Sequence, residues 1–431
     1  MMSSIRALFR SSSFVPQEYK SNFLHLYFDT GWYGILNGSI LTFIAVYAAH
    51  LGANSLQIGL ITSVPAIINL AFTIPAGAWL EKQHLGGAVF KSSVITRIFY
   101  LLFIPLPWLF APDVEIWILI LITLVMSIPG VALAIGFNAF FAEAVPLKYR
   151  GHVAGIRNAV FAVTTTLTTL LCGWMLEEIR FPLNYQILFG IGLFGSLFSS
   201  VHLRFIKSIE PSKPELIAAR SVEEERRITR IRMRGDVRAR IKKLIQSFHF
   251  DLLSGRFFRV MFLIFLFHLF QYLPAPIFPI QMVNVLNFSD QWISVGMAVF
   301  YLAMFLGSTQ LSQITSKIGN QAALGLGAGL MGAYPLLLLA SKEALYFIAG
   351  SFIGGLAWSL AGGTIINYLL ERVPAEDRPA HFAWYNIFLN SAILIGSTLG
   401  GPISDQIGLP QSLLLFGVGR ILAGLLIIWK G

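Results

Sequence analysis

Six apolar runs, each roughly a bilayer-spanning length, fill residues 28–50, 57–80, 92–111, 115–140, 152–176 and 184–205, and six more fill 257–282, 291–315, 321–341, 343–369, 382–404 and 410–429. A hydrocarbon core about 30 Å thick takes about 20 helical residues to cross. Inside it every backbone N–H and C=O needs a partner within the protein, which restricts spanning segments to helices or closed barrels. Runs this long read as helices, so the fold class is an all-α membrane protein with twelve transmembrane helices in two sets of six. Only 12% of residues are charged, against about a quarter in a soluble domain; a soluble enzyme, a disordered chain and a disulfide scaffold are excluded. The single cysteine, Cys172, sits in an apolar run, so neither an intrachain disulfide nor a thiolate metal cluster is expected.

The formal charge of +10 is concentrated in one place. Residues 204–259 hold 15 of the 31 Lys and Arg but only 7 of the 21 Asp and Glu. Such a hydrophilic segment between two greasy halves reads as a cytoplasmic connector drawn to anionic lipid headgroups, with no nucleic-acid partner. Within it Val237, Ile241, Leu244, Ile245 and Phe248 recur at helical spacing opposite Arg238, Arg240, Lys242 and Lys243, the pattern of an amphipathic helix on the inner leaflet. With both termini inside, the tails and short inner loops carry eleven Lys and Arg, and the outer loops only Arg180 and Lys342. Positive charge collects on the cytoplasmic side, so both termini are expected there. Residues 1–27 then form a cytoplasmic tail without a cleavable signal, 28–205 one bundle, 206–256 the connector and 257–431 the second bundle.

The two halves are related in sequence. Glu143-Ala-Val-Pro146-Leu-Lys-Tyr-Arg150, with Asn158 beyond it, recurs 228 residues later as Glu371-Arg-Val-Pro374-Ala-Glu-Asp-Arg378, with Asn386 beyond it. At the same offset Gly173, Glu177, Ile179 and Pro182 meet Gly401, Asp405, Ile407 and Pro410, and a looser match pairs Ser55 and Gln57 with Ser289 and Gln291. A duplicated six-helix unit is how many transporters are built.

With these features the chain resembles the major facilitator superfamily over essentially its whole length. The loop after helix 2, Gly77-Ala-Trp-Leu-Glu81-Lys82, is similar to that family's acidic-basic loop, with Glu81 in place of the usual aspartate; its counterpart has Ser316 where an acid is expected. The resemblance implies alternating access, with helices 1, 4, 7 and 10 lining a central cavity. It also implies a cytoplasmic gate of Glu143, Arg150, Glu371 and Arg378 with Glu81, in which carboxylate and guanidinium latch neighbouring helices when the cavity opens outward.

An ionisable or amide group within an apolar run is costly and marks a candidate site. Asp29, Asn37, Asn69, Arg97, Asn138, Glu143, Arg157 and Asn158 occupy the first half, and His268, Gln271, Asn367, Asn386, Asn390 and Arg420 the second. Placed on the family's cavity scheme, Asn37, His268, Gln271 and Asn386 with Trp32, Tyr33, Tyr272 and Trp358 form the candidate substrate cavity. Aromatic faces and amide edges suit a neutral or weakly polar organic solute. Coupling to a proton would rest on Asp29, Glu143 or His268, an imidazole having an ordinary pKa of about 6.5; another ion, or facilitated diffusion, is the alternative. Pro274, Pro276 and Pro279 must break or bend helix 7. The small-residue pairs Gly151/Gly155, Gly350/Gly354 and Gly396/Gly400 are expected at close helix approaches. Arg420 falls about 15 Å into helix 12, near the midplane, and is expected to be a structural anchor on a helix-break carbonyl or a polar side chain of helix 10 or 11.

The leading function is a secondary transporter of a small organic solute. It needs no cofactor and no resident metal, since the eight histidines show no ligand spacing and no phosphate-binding run exists. An oligomer is not required, and a bacterial-type plasma membrane is the expected location. Proton-driven efflux of amphipathic compounds is the alternative, weakened because helix 5 reads Thr164-Thr-Thr-Leu-Thr-Thr169 rather than the glycine-proline motif of drug antiporters. A polytopic membrane enzyme on lipid-linked substrates would show clustered His, Asp or Ser at one face, and no such cluster is present.

Overall fold

The computed structural model describes residues 16–209, 255–373 and 378–431, and among them there are helices and no strands. The basic connector with its amphipathic pattern lies almost wholly outside the described residues. In the first half α1 runs Gln17–Leu36, passes a wide turn at Asn37–Leu41 and resumes at Thr42–His50; α2 is Ser55–Leu80 and α3 begins at Leu85–Ile98. They are followed by α4 (Pro112–Ala144), α5 (Leu147–Glu178) and α6 (Leu183–Phe205). The second half opens with α7 (Gly255–Tyr272) and later holds α10 (Ala344–Leu370), α11 (Arg378–Ile407) and α12 (Leu409–Lys430).

Eleven continuous helical segments are long and apolar enough to cross a membrane, one of them the 51-residue stretch Asp290–Ala340. At 1.5 Å per residue it would be about 77 Å long, more than twice a bilayer core. Gly319 resolves this, because its φ of 79° and ψ of 164° turn the chain back in a conformation that favours glycine. The segment is therefore two crossings, α8 (290–318) and α9 (320–340), and the count of twelve follows. The start of α1 and the end of α12 then lie at one end of the molecule, called here the terminal end; the other is the far end.

The proline run breaks helix 7 as its residue types require. Regular helix stops at Tyr272, and the chain continues through Ile277–Ile280 and a wide turn at Gln281–Val285. The break orphans carbonyls, and Arg420 collects them. It is 1% exposed and donates from Nε to Phe270 O at 3.1 Å, from Nη2 to Gln271 O at 2.9 Å and from Nη1 to Met331 O at 3.0 Å. Phe270 O would have been bonded by the nitrogen of residue 274 and Met331 O by that of residue 335, and both are prolines without an N–H. The amide of Ala275, the regular partner of Gln271 O, turns instead to Tyr272 O. A planar fork with five donors is the side chain that can serve three carbonyls from two helices.

Close approaches distinguish the two ends. A Cβ at Gly59 on α2 would lie 2.0 Å from Ser397 O on α11, and one at Gly401 would lie 2.7 Å from the backbone carbon of Ser55. Gly173 on α5 meets Ser294 on α8 in the same way, at 2.1 Å from its Cβ. All three are far-end contacts between halves. At the terminal ends of the same two helices, Gly77, Gly151 and Gly155 have nothing within 4 Å, so the expected Gly151/Gly155 approach is not made in this conformation. The pair Gly396/Gly400 does pack closely, against Leu269, Tyr272 and Leu273 of helix 7, and Gly350 and Gly354 make ordinary contacts.

The apolar core repeats the pattern. One buried cluster at the far end mixes residues of both halves, joining Phe43, Tyr47, Ile58 and Leu119 to Met282, Ile293, Leu338 and Phe347. Toward the terminal end the core separates into a cluster around Phe23, Phe140 and Leu203 in the first half and another around Ile264, Ala361 and Ile427 in the second. The halves are fused at the far end and parted at the terminal end.

Candidate functional site

Polar bonds between halves seal the far end. Ser55 Oγ donates to Asp405 Oδ2 at 2.9 Å. His50 Nε2 lies 3.0 Å from Asp290 Oδ1, which also accepts from Tyr185 OH at 3.0 Å. Nearer mid-depth Asn37 Nδ2 donates to Tyr301 OH at 3.0 Å, so one expected cavity residue ties α1 to α8.

Below that junction the first half holds a cavity of about 480 Å3 whose lining includes Asp29, Tyr33, Arg97, Arg157, Asn158 and Phe161. Its charged groups are fixed by their neighbours. Asp29 is 4% exposed and accepts from Ser199 Oγ on α6 at 2.5 Å. Arg157 on α5 donates from Nε to Thr30 Oγ1 at 2.7 Å, and its Nη2 lies 3.8 Å from Asp29 Oδ2. It also sits over the Phe137 ring, 4.7 Å from the centroid. Arg97 on α3 donates from Nη1 to Ser196 O at 3.0 Å and Ser200 Oγ at 2.8 Å. One turn of α6 thus supports both the carboxylate and a guanidinium. Tyr33 stacks on Phe161, with centroids 5.9 Å apart, as the aromatic wall.

The other expected cavity residues are distributed. Trp32 turns to α6 and packs on Phe194 and Phe198, at 5.7 and 4.9 Å. His268 is 2% exposed, sits among Phe267, Tyr272 and Tyr385, and among the described residues has no hydrogen-bond partner at either ring nitrogen. Gln271 Oε1 is likewise buried and without a partner among the described residues. Trp358 packs against the core of the second half. Asn386 is exposed and lines a separate space of about 360 Å3 between the terminal halves of α2 and α11, with Asn69, Trp384 and Asn390.

Among the described residues the expected gate groups take partners within their own halves. Arg150 donates to Val145 O at 3.0 Å and Ala142 O at 2.6 Å, and Glu143 accepts from Ser208 Oγ at 3.0 Å. Glu371 pairs with Asn320 and with Arg372, at 2.5 and 3.4 Å. Glu81 is exposed at the end of α2. The side chain of Arg378 lies outside the described residues. In the sequence Arg97 and Arg157 stand out only as intramembrane charges, with no sign that they share a cavity with Asp29. Tyr301, Ser199, His50 and Tyr185 carry no such signal, because a hydroxyl or an imidazole in a helix is ordinary until a partner faces it, and Ser55 and Asp405 stand out in the sequence only as repeat positions.

The arrangement, two six-helix halves closed at one end around a mid-depth cavity, has known relatives. The nucleoside transporter NupG superposes with a TM-score of 0.68 at 13% identity, covering 95% of this chain and 98% of that one. The xylose transporter XylE from E. coli, in a partially occluded inward-open conformation, gives 0.67 at 14%, covering 96% and 97%. A POT family transporter in complex with a thioalcohol-conjugated peptide gives 0.64 at 15%, covering 97% of each. These likenesses establish the fold. The profile of the Major Facilitator Superfamily matches residues 30–257 and 260–430. Matched across both halves and nearly its whole length, the chain belongs to the Major Facilitator Superfamily and is a secondary transporter embedded in the membrane by multiple passes.

Proposed function

We propose that this transporter moves a small organic solute by alternating access and that the structure is its inward-facing state. The observation that carries this reading is the gradient of packing along α2, from a 2.0 Å approach at Gly59 to open space at Gly77. The positive charge on the inner loops supports placing the terminal end in the cytoplasm, in a bacterial-type plasma membrane. The basic segment 206–256 then lies on the inner leaflet between bundles 28–205 and 257–431. The solute is held at mid-depth between the Asp29 cavity and the buried polar groups of His268 and Gln271, where Asn37, Tyr33 and Tyr272 border the path. Asp29, with Glu143 and His268, is the candidate for carrying a coupling proton. Proteoliposome uptake over a metabolite panel, with and without a pH gradient, tests this; a protein that transports nothing under either condition would defeat it.

Orientation has its own test. With Arg180→Cys and Ser221→Cys variants in intact cells, an impermeant thiol reagent is expected to label position 180 and spare 221. The reverse pattern inverts the molecule.

In the opposite state Glu143, Arg150, Glu371 and Arg378, with Glu81, are placed to meet across the halves as the terminal end closes. The partners that Arg150, Glu143 and Glu371 take within their own halves accord with a gate that is open. Arg150→Ala and Arg378→Ala are each expected to slow transport about tenfold or more while leaving solute affinity within about threefold, the loss of one charge-assisted contact. Parental rates in both variants place the gate elsewhere.

A further inference from the structure

The 480 Å3 cavity of the first half holds an unbalanced charge. Its lining contains two guanidiniums, Arg97 and Arg157, and one carboxylate, Asp29. The helices of the second half bring no carboxylate to offset the excess: α7 and α10 contain none, and on α8 and α11 the acids, Asp290 and Asp405, sit at the far end. Those two are engaged there by His50, Tyr185 and Ser55. A lone cation at membrane depth is costly unless it is paired.

Both arginines keep donors in reserve. Arg97 spends Nη1 on α6, and among the described residues its Nε and Nη2 make no hydrogen bond. Arg157 spends Nε on Thr30, its Nη2 is held only at ion-pair distance from Asp29, and its Nη1 makes no hydrogen bond among them. A planar guanidinium with two free N–H edges is the group that reads a carboxylate or phosphate in bidentate fashion. Cavity size agrees, since small-ligand sites run from about 300 to 1,000 Å3. Beside the charges stands a wall of Tyr33, Phe161, Phe137 and Leu133, which suits a hydrocarbon or flat body behind the acid.

We propose that this cavity is an anion site: Arg97 and Arg157 bind the carboxylate or phosphate of the transported solute, and Asp29 is the internal carboxylate that occupies Arg157 when the solute is absent. The proposal rests on the transporter reading above and narrows it from an organic solute to an organic anion, in place of the neutral solute that the aromatic and amide residues of the sequence suggest. Binding of an acid brings the cavity to charge balance, because the solute supplies the one negative charge that two guanidiniums and a single carboxylate leave wanting.

Thermal unfolding of the purified full-length protein in detergent tests this with matched pairs: benzoate against benzamide, phenylacetate against phenylacetamide, gluconate against sorbitol, and phenyl phosphate against phenol. At least one acid is expected to raise the melting temperature while its neutral partner does not, and whether carboxylates or the phosphate ester act identifies the group. Arg157→Gln and Arg97→Gln are each expected to weaken that acid at least tenfold, and Arg157→Lys less. Asp29→Asn, which removes the internal competitor, is expected to tighten it several-fold. A panel in which no acid acts, or in which neutral partners act equally, overturns the proposal. So does acid binding that survives both glutamine variants, or, should those fail to fold, acid binding that is lost in Asp29→Asn. Uptake separates the two readings: transport of a neutral solute without acid binding sinks the anion site alone, and acid binding without transport of that acid sinks the transporter reading alone.

Discussion

Gly59→Leu is expected to abolish transport, by about a hundredfold or more, while the protein remains folded. Even a Cβ there would lie 2.0 Å from the backbone oxygen of Ser397, an atom that cannot rotate aside. Overpacking of a well-filled contact costs about 1–3 kcal/mol for a few methylenes, with more where backbone must move. The far-end seal is otherwise a small set of hydrogen bonds, Ser55 to Asp405 and His50 and Tyr185 to Asp290, each worth about 0.5–1.5 kcal/mol net. A leucine therefore favours separation of α2 from α11 at this end and drives the halves toward the state closed at the other. Gly401→Leu, beside the Ser55 backbone, should act the same way. The measurement is thiol labelling of an Ile387→Cys variant, whose position lines the open space between α2 and α11. Labelling should fall sharply in the Gly59→Leu background. Parental labelling together with parental uptake would show that the far end tolerates the side chain and that the contact does not govern the conformational equilibrium.

Arg420→Leu should have the largest effect on stability. Three buried carbonyls lose their donor, and an unsatisfied buried polar group costs about 1–3 kcal/mol. Recovery of the desolvation cost of the cation offsets part of this, leaving an expected loss of about 3 kcal/mol or more, toward the upper range for single substitutions. Folded yield and melting temperature should drop, while surviving protein keeps its solute affinity. Arg420→Lys should fall between, because one ammonium cannot span carbonyls on α7 and α9 at once. A leucine variant with normal yield and melting temperature but no solute binding would move Arg420 into the site.

The two predictions illustrate different degrees of legibility. Helix number, the break in helix 7 and an arginine seated on break carbonyls follow from composition and spacing, because the bilayer penalises every unpaired polar group and so leaves few solutions. The partner helix was not legible: helix 7 and helix 9 supply the acceptors, rather than a polar side chain of helix 10 or 11. The turn between helices 8 and 9, by contrast, is legible as the polar stretch Ser312–Gln321 that separates two apolar runs, and the structure adds that the left-handed Gly319 makes the turn.

The internal repeat was written in the sequence, and only the tertiary structure shows what it holds. Gly173 and Gly401, 228 residues apart, are equivalent positions where α5 meets α8 and α11 meets α2, each against the first turns of the partner helix. The twelve-helix duplicated architecture follows from hydrophobic length and repeat offset, one-dimensional quantities that the membrane converts directly into structure. Which charges share a cavity, which glycines close an end and which face Trp32 presents were decided by tertiary packing. Asp29, Arg97 and Arg157 lie 68 and 60 residues apart in the chain and meet because α1, α3 and α5 are brought together around α6. No periodicity within one helix carries that information, since it fixes the face of a helix but not the neighbour that the face receives.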